Sequence, residues 1–169
     1  MYNGKKVCCV TGHRPDAFPW KDDTEDRRFH ILRKRIEQAV DTALLLNAGR
    51  FICGNALGVD IWTAQIILEK RNTNPDIYLE IALPFSLHNS TFQSCLNIQK
   101  QSDWTHVVTT EKCRRAAFFQ RDKYMVDNSD MIIAVFDNQT SRKGGTQRTL
   151  EMAREKGLEI IQVPWGDIR

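Results

Sequence analysis

The chain has 169 residues, a size that suits one domain able to bury a core without disulfide or metal staples. Hydrophobic residues make up 41% and charged residues 27%, close to globular averages, which excludes a disordered or fibrous protein. A formal net charge of +3 is too mild to demand nucleic acid as a partner, and no stretch approaches the roughly 18 apolar residues of a membrane span.

Met1-Tyr2-Asn3-Gly4-Lys5-Lys6 leads straight into an apolar run and lacks the hydrophobic region and cleavage site of a signal peptide, so a cytoplasmic protein with no membrane partner is expected. Lys6-Val7-Cys8-Cys9-Val10-Thr11 predicts a first strand covered on both faces and ending at Gly12. From Asp26 to Asn47, apolar residues recur at Phe29, Leu32, Ile36, Ala39, Val40, Ala43 and Leu44, the spacing of one helix face. Asn47-Ala48-Gly49 stops that helix, with Gly49 as its expected C-terminal cap.

Phe51 to Cys53 predicts the second strand and Leu57 to Lys70 the second helix, closed by the turn signal Asn72-Thr73-Asn74-Pro75-Asp76. Ile77 to Leu83 alternates as a third strand and stops at Pro84, and His88 to Gln101 reads as a polar helix. Trp104 to Thr109 suggests a fourth strand, and Arg115 to Asn128 a helix with Ala117, Phe118, Tyr124 and Met125 inward. Met131 to Phe136 is continuously apolar and therefore a central strand. Asp137 to Lys143 is a polar loop, Gly144-Gly145-Thr146 opens a helix to Lys156 capped by Gly157, and Leu158 to Val163 is the last strand. Strands alternating with helices imply one α/β domain over residues 1–169, a mainly parallel central sheet with helices on both faces.

In such a sheet the strand-to-helix turns share one edge, where ligands bind. Four polar clusters therefore converge: Gly12-His13-Arg14 after the first strand, Gly54-Asn55-Ala56-Leu57-Gly58-Val59-Asp60 after the second, Pro84 after the third, and Asp137 with Gly144-Gly145-Thr146 after the fifth. Glycine followed by a helix N-terminus can hold phosphate by backbone N–H groups, although such a glycine also serves tight packing alone. No lysine follows as in a Walker loop, and the spacing is not that of a dinucleotide fingerprint.

Asp60 reads either as a carboxylate favoured in a first helical turn or as an acceptor for a ribose hydroxyl, since beside phosphate it would repel. That leaves the Gly144 turn as the better phosphate holder. His13 and Arg14 can both donate to anionic oxygens. Arg121 and Asp122 read by themselves as a helix-surface ion pair. Phe18, Trp20 and Phe85 suit either core packing or stacking on a base. Cys8, Cys9, Cys53, Cys95 and Cys113 have no zinc spacing and read as reduced thiols, so no metal and no cofactor is expected.

These motifs together resemble the SMF/DprA-LOG (SLOG) superfamily, and in detail its YpsA-like branch, the DUF1273 family, over nearly the whole chain. The carriers are Thr11-Gly12-His13-Arg14-Pro15, Gly54 to Asp60 with Trp62, Arg121 to Asp130, and Gly144-Gly145-Thr146. The resemblance implies a Rossmann-like three-layer α/β/α sandwich. In DprA, which binds single-stranded DNA, a similar Gly-x-Ala-x-Gly-x-Asp turn stands at Gly54 to Asp60. In the LOG phosphoribohydrolases an Arg-x-x-x-Met helix, matched by Arg121 and Met125, precedes Pro-Gly-Gly-x-Gly-Thr-x-x-Glu. Gly144, Gly145 and Glu151 keep that spacing, whereas Lys143 replaces the proline and Gln147-Arg148 the later Gly-Thr.

The favoured expectation is a module that binds a nucleotide or ADP-ribose-like small molecule for sensing or regulation. The alternative is a nucleotide N-glycosidase with Arg121, Glu151 and Asp60 as catalytic candidates, and single-stranded DNA binding ranks third. A homodimer is what the resemblance implies.

Overall fold

The computed structural model describes residues 3–138 and 144–168. Chain order runs β1 (Lys6–Gly12), α1 (Arg27–Leu45), β2 (Ala48–Cys53), α2 (Val59–Arg71), β3 (Tyr78–Leu83), α3 (Gln93–Gln101), β4 (Trp104–Val107), α4 (Arg114–Asp127), β5 (Met131–Val135), α5 (Gly145–Lys156) and β6 (Glu159–Val163). The polar loop expected after β5 ends in residues 139–143, which lie outside the described residues.

All strand pairs are parallel, in the order β4-β3-β2-β1-β5-β6. The chain builds outward from β1 to β4, then crosses back through α4 to place β5 on the other side of β1. Because successive strand side chains alternate between faces, Cys8 joins the core beneath α1, α2 and α3, while Cys9 joins the one beneath α4 and α5 with Met125, Val126 and Ala153. The reversal therefore falls between β1 and β5, with helices diverging to opposite faces, where a crevice must open at the carboxyl ends.

Asp26 starts α1 by accepting from the Arg28 N–H at 2.7 Å. The other end corrects the sequence expectation: Asn47, not Gly49, takes the left-handed conformation (φ 72°), and Gly49 already belongs to β2. The third helix is also shorter than its pattern, because Asn89 turns left-handed (φ 53°) and spends its side-chain amide on the Asn55 carbonyl at 2.8 Å. Gly157 caps α5 with φ 76°, as expected.

Strand β3 does not alternate between core and solvent. Glu80 at its centre is fully buried on the α4 side. It forms an ion pair with Arg50, accepts from the Tyr124 hydroxyl at 2.7 Å and lies 3.4 Å from His106 Nε2. A polar residue in the pattern thus marks a buried network that bolts β2, β3, β4 and α4 together. Glu80→Ala should cost about 3–5 kcal/mol by removing the buried carboxylate that Arg50 and Tyr124 share. Tyr124→Phe should cost about 1–3 kcal/mol, the two losses being measured by urea denaturation.

Candidate ligand cleft at the sheet reversal

A cavity of about 380 Å3 opens at the carboxyl ends of β1 and β5. Gly12, His13 and Arg14 reach it from β1, Ala56 and Asp60 from the β2–α2 turn, Phe118, Arg121 and Asp122 from α4, and Gly144 to Arg148 from the start of α5.

Arg121 organises this cleft. It is 7% exposed, so its pairing with Asp122 (Nε to Oδ1, 2.8 Å) is a buried contact and not the helix-surface pair that the pattern suggests. Its Nη1 donates to the Gly54 carbonyl, which ties α4 to the β2–α2 turn. Gly54 is required there, since a β-carbon would collide with Nη1 and stand 2.8 Å from Asp60 Oδ2. Gly58, with φ 94°, admits the close approach of the His13 carbonyl, 2.7 Å from where a β-carbon would sit.

Two donors of the β2–α2 turn are spent within the protein. The Val59 N–H donates to the His13 carbonyl at 3.3 Å, and the Ala56 N–H donates to Asp60 Oδ2 at 3.1 Å. Helix α5, whose N-cap Gly144 has no side chain just as Gly58 has none at α2, brings Gly145 and Thr146 to the border of the cavity. The α5 terminus is thus the better equipped of the two for an anion.

Burial raises the Asp60 carboxyl to about 6, against the opposing pull of Arg121. Burial lowers His13, so it is a neutral imidazole at pH 7 rather than a cation. Its ring lies against Phe136 with centroids 6.0 Å apart, and its Nε2 is buried without a partner among the described residues. Phe118 carries guanidinium groups on its ring, with the Cζ atoms of Arg14 and Arg121 each 5.8 Å from the centroid. His88 is held at about 4 by burial and then by Arg121, Arg14 and Arg114, a sign of the positive field on this side.

The other sequence candidates lie around this cleft rather than in its wall. Gly54 and Gly58 support it from behind, and Asn55 and Pro84 are buried. Asp137 borders a separate depression with Arg35 and Gly166. Glu151 is exposed, accepts from Gln147 Nε2 at 2.9 Å and lines a neighbouring cavity. Phe18 and Trp20 stack on each other at 5.0 Å and belong to the core, and Phe85 packs edge-on against Phe118 at 5.7 Å. Among the described residues, no group of three His, Cys, Asp or Glu side chains could hold a metal.

No motif points to Phe118 or Arg148 as residues of the cleft, or to Arg114 beside it. One signal was available: Arg114, Phe118, Arg121 and Met125 recur at helical spacing, so a single face of α4 carries them.

Arg121→Ala should destabilise the fold by about 3–5 kcal/mol in urea unfolding, since it strips a buried network of its cation. A loss below about 1 kcal/mol would show a solvated pair instead. Asp60 supplies a pH test. Its folded-state proton is held to about pH 6 against an ordinary value of 3.8, so the stability it contributes is full below 3.8 and lost as pH rises towards 6. Relative to Asp60→Asn, the wild type should lose on the order of 2–3 kcal/mol between about pH 4 and pH 7, followed by urea midpoints. A flat or rising difference would contradict the burial account.

Residues 8–167 match the family model described as the YspA SLOG family. The UPF0398 protein of Staphylococcus haemolyticus is 29% identical over 145 residues, spanning 79% of this chain and 74% of that protein. A UPF0398 protein of Staphylococcus epidermidis is 25% identical over 147 residues with the same coverage, 79% and 74%. A third, from Bacillus cereus, is 24% identical over 159 residues, covering 90% of this chain and 84% of that protein. A match over nearly the full length, on a parallel sheet with a cleft at its reversal, means that the chain belongs to the YspA SLOG family.

Proposed function

We propose that this chain is a single-domain module that binds a nucleotide or ADP-ribose-like ligand in the cleft, in a sensing or regulatory role. One observation carries the reading: the cleft at the sheet reversal joins a helix N-terminus whose N-cap is glycine, guanidinium groups from Arg14, Arg121 and Arg148, and the buried acceptor Asp60. Anionic oxygens suit the α5 side, and sugar hydroxyls suit Asp60, whose carboxylate would repel phosphate.

Asp60 also supports a second reading, nucleotide N-glycosidase activity, because it brings a carboxyl group to the cleft wall, and a carboxylate favours positive charge developing on a ribose. Glu151 is poorly disposed for that task, being exposed and outside the cleft wall. The binding reading is therefore favoured.

Calorimetry against nucleoside phosphates and ADP-ribose should find a ligand bound tighter than about 1 mM, some 4 kcal/mol. Gly145→Asp should weaken that binding by about ten-fold or more, since it brings a carboxylate to the start of α5. It should leave the unfolding midpoint unchanged, because the nearest neighbour of a β-carbon at Gly145 is Asp122 Oδ2 at 3.9 Å. No binding across the panel would sink the reading. Chromatographic release of free base and ribose 5-phosphate would instead favour the glycosidase.

A further inference from the structure

A second cavity, of about 690 Å3, opens beside the cleft and shares Phe118, Gly144, Gly145, Gln147 and Arg148 with it. The two differ in charge. Within the described wall of the cleft, Arg14, Arg121 and Arg148 face three carboxylates, Asp16, Asp60 and Asp122. The second cavity sets Arg114, Arg115 and Arg148 against the single carboxylate of Glu151, among the described residues.

Two of the three guanidinium groups in the second cavity are steadied by rings rather than by carboxylates. Arg114 Cζ lies 5.1 Å from the centroid of Phe85, and Arg148 Cζ lies 5.0 Å from that of Phe119. Among the described residues none of the three arginines is ion-paired, and Arg148 Nε is buried with no hydrogen-bond partner. A buried guanidinium N–H left without an acceptor is costly until a ligand supplies one. By contrast, Arg121 in the cleft is already engaged by Asp122 and the Gly54 carbonyl.

Charge balance thus divides the work between the cavities. The near-neutral cleft suits hydroxyls and a base, while the cationic cavity offers more donors than one phosphate needs. The start of α5 borders both, so a chain of phosphates could run past Gly145 from one to the other. We infer that the ligand is a nucleoside di- or triphosphate, its ribose in the cleft and its phosphate chain extending onto Arg148, Arg114 and Arg115. The inference rests on the nucleotide-binding reading and adds to it the number of phosphates and their seat.

The test is calorimetry with the mono- and triphosphates of the four ribonucleosides, and with inorganic tripolyphosphate, at fixed ionic strength with chelator. The preferred triphosphate should bind at least about ten-fold tighter than its monophosphate, the worth of one charge-assisted hydrogen bond. Tripolyphosphate should compete with it. Arg114 and Arg115 are both exposed, so a double Arg114→Ala, Arg115→Ala variant should keep its melting temperature. That variant should bring the triphosphate down to the affinity of the monophosphate, and leave the latter within about three-fold. Equal affinities in the wild type, or an advantage that survives in the variant, overturn the inference while monophosphate binding upholds the module. If no nucleotide binds, the module reading fails, and the ligand class named here falls with it.

Discussion

Arg121 is a full positive charge 7% exposed to water, and such a charge is tolerated only when its surroundings are arranged around it. The arrangement here includes a carbonyl from the β2–α2 turn and a carboxylate one residue along its own helix. Gly54 has no side chain because the guanidinium occupies that space, and Asp60 lies on the far side of the same gap. Removing any one of these leaves the others with unmatched charge or polarity. The cleft takes its shape from this clamp, which holds α4 over the end of β2 while α5 closes the opposite wall.

Two helix N-termini face the same sheet edge and behave differently for local reasons. At α2 the Val59 N–H goes to the His13 carbonyl and the Ala56 N–H of the preceding turn to Asp60, while the glycines there allow close packing. At α5 Gly145 and Thr146 border the cavity, and Arg148 beside them is held on the Phe119 ring. A guanidinium stacked on a ring keeps its five donors in plane, and those not taken by protein acceptors stay open to a ligand. Arg121 commits Nε and Nη1 to Asp122 and the Gly54 carbonyl while also lining the cleft, whereas Arg148 has no ion pair among the described residues.

Much of the architecture was legible because it rests on period. The apolar runs at Lys6–Gly12 and Met131–Val135 are strands buried on both faces, and the helical stripe from Phe29 to Ala43 packs inward. Boundaries were less legible where a side chain reaches across the fold. Asn89 shortens α3 by bonding Asn55, and Asn47 takes the left-handed turn in place of Gly49. Glu80 looked like the polar half of an alternating strand, yet its partners Arg50 and Tyr124 come from positions 30 and 44 residues away.

The sequence by itself determined the family, the alternating strands and helices, and the set of glycine turns that must share one edge of a parallel sheet. These follow from local periodicity and backbone freedom, which act over a few residues. Only the tertiary structure decided which of those helix starts borders the cleft, that Arg121 is buried while Glu151 is outside the cleft wall, and that Arg114, Arg115 and Arg148 line one cavity. Such facts depend on distances between residues far apart in the chain, and on how water is excluded around each charge. Neither quantity has a local signature.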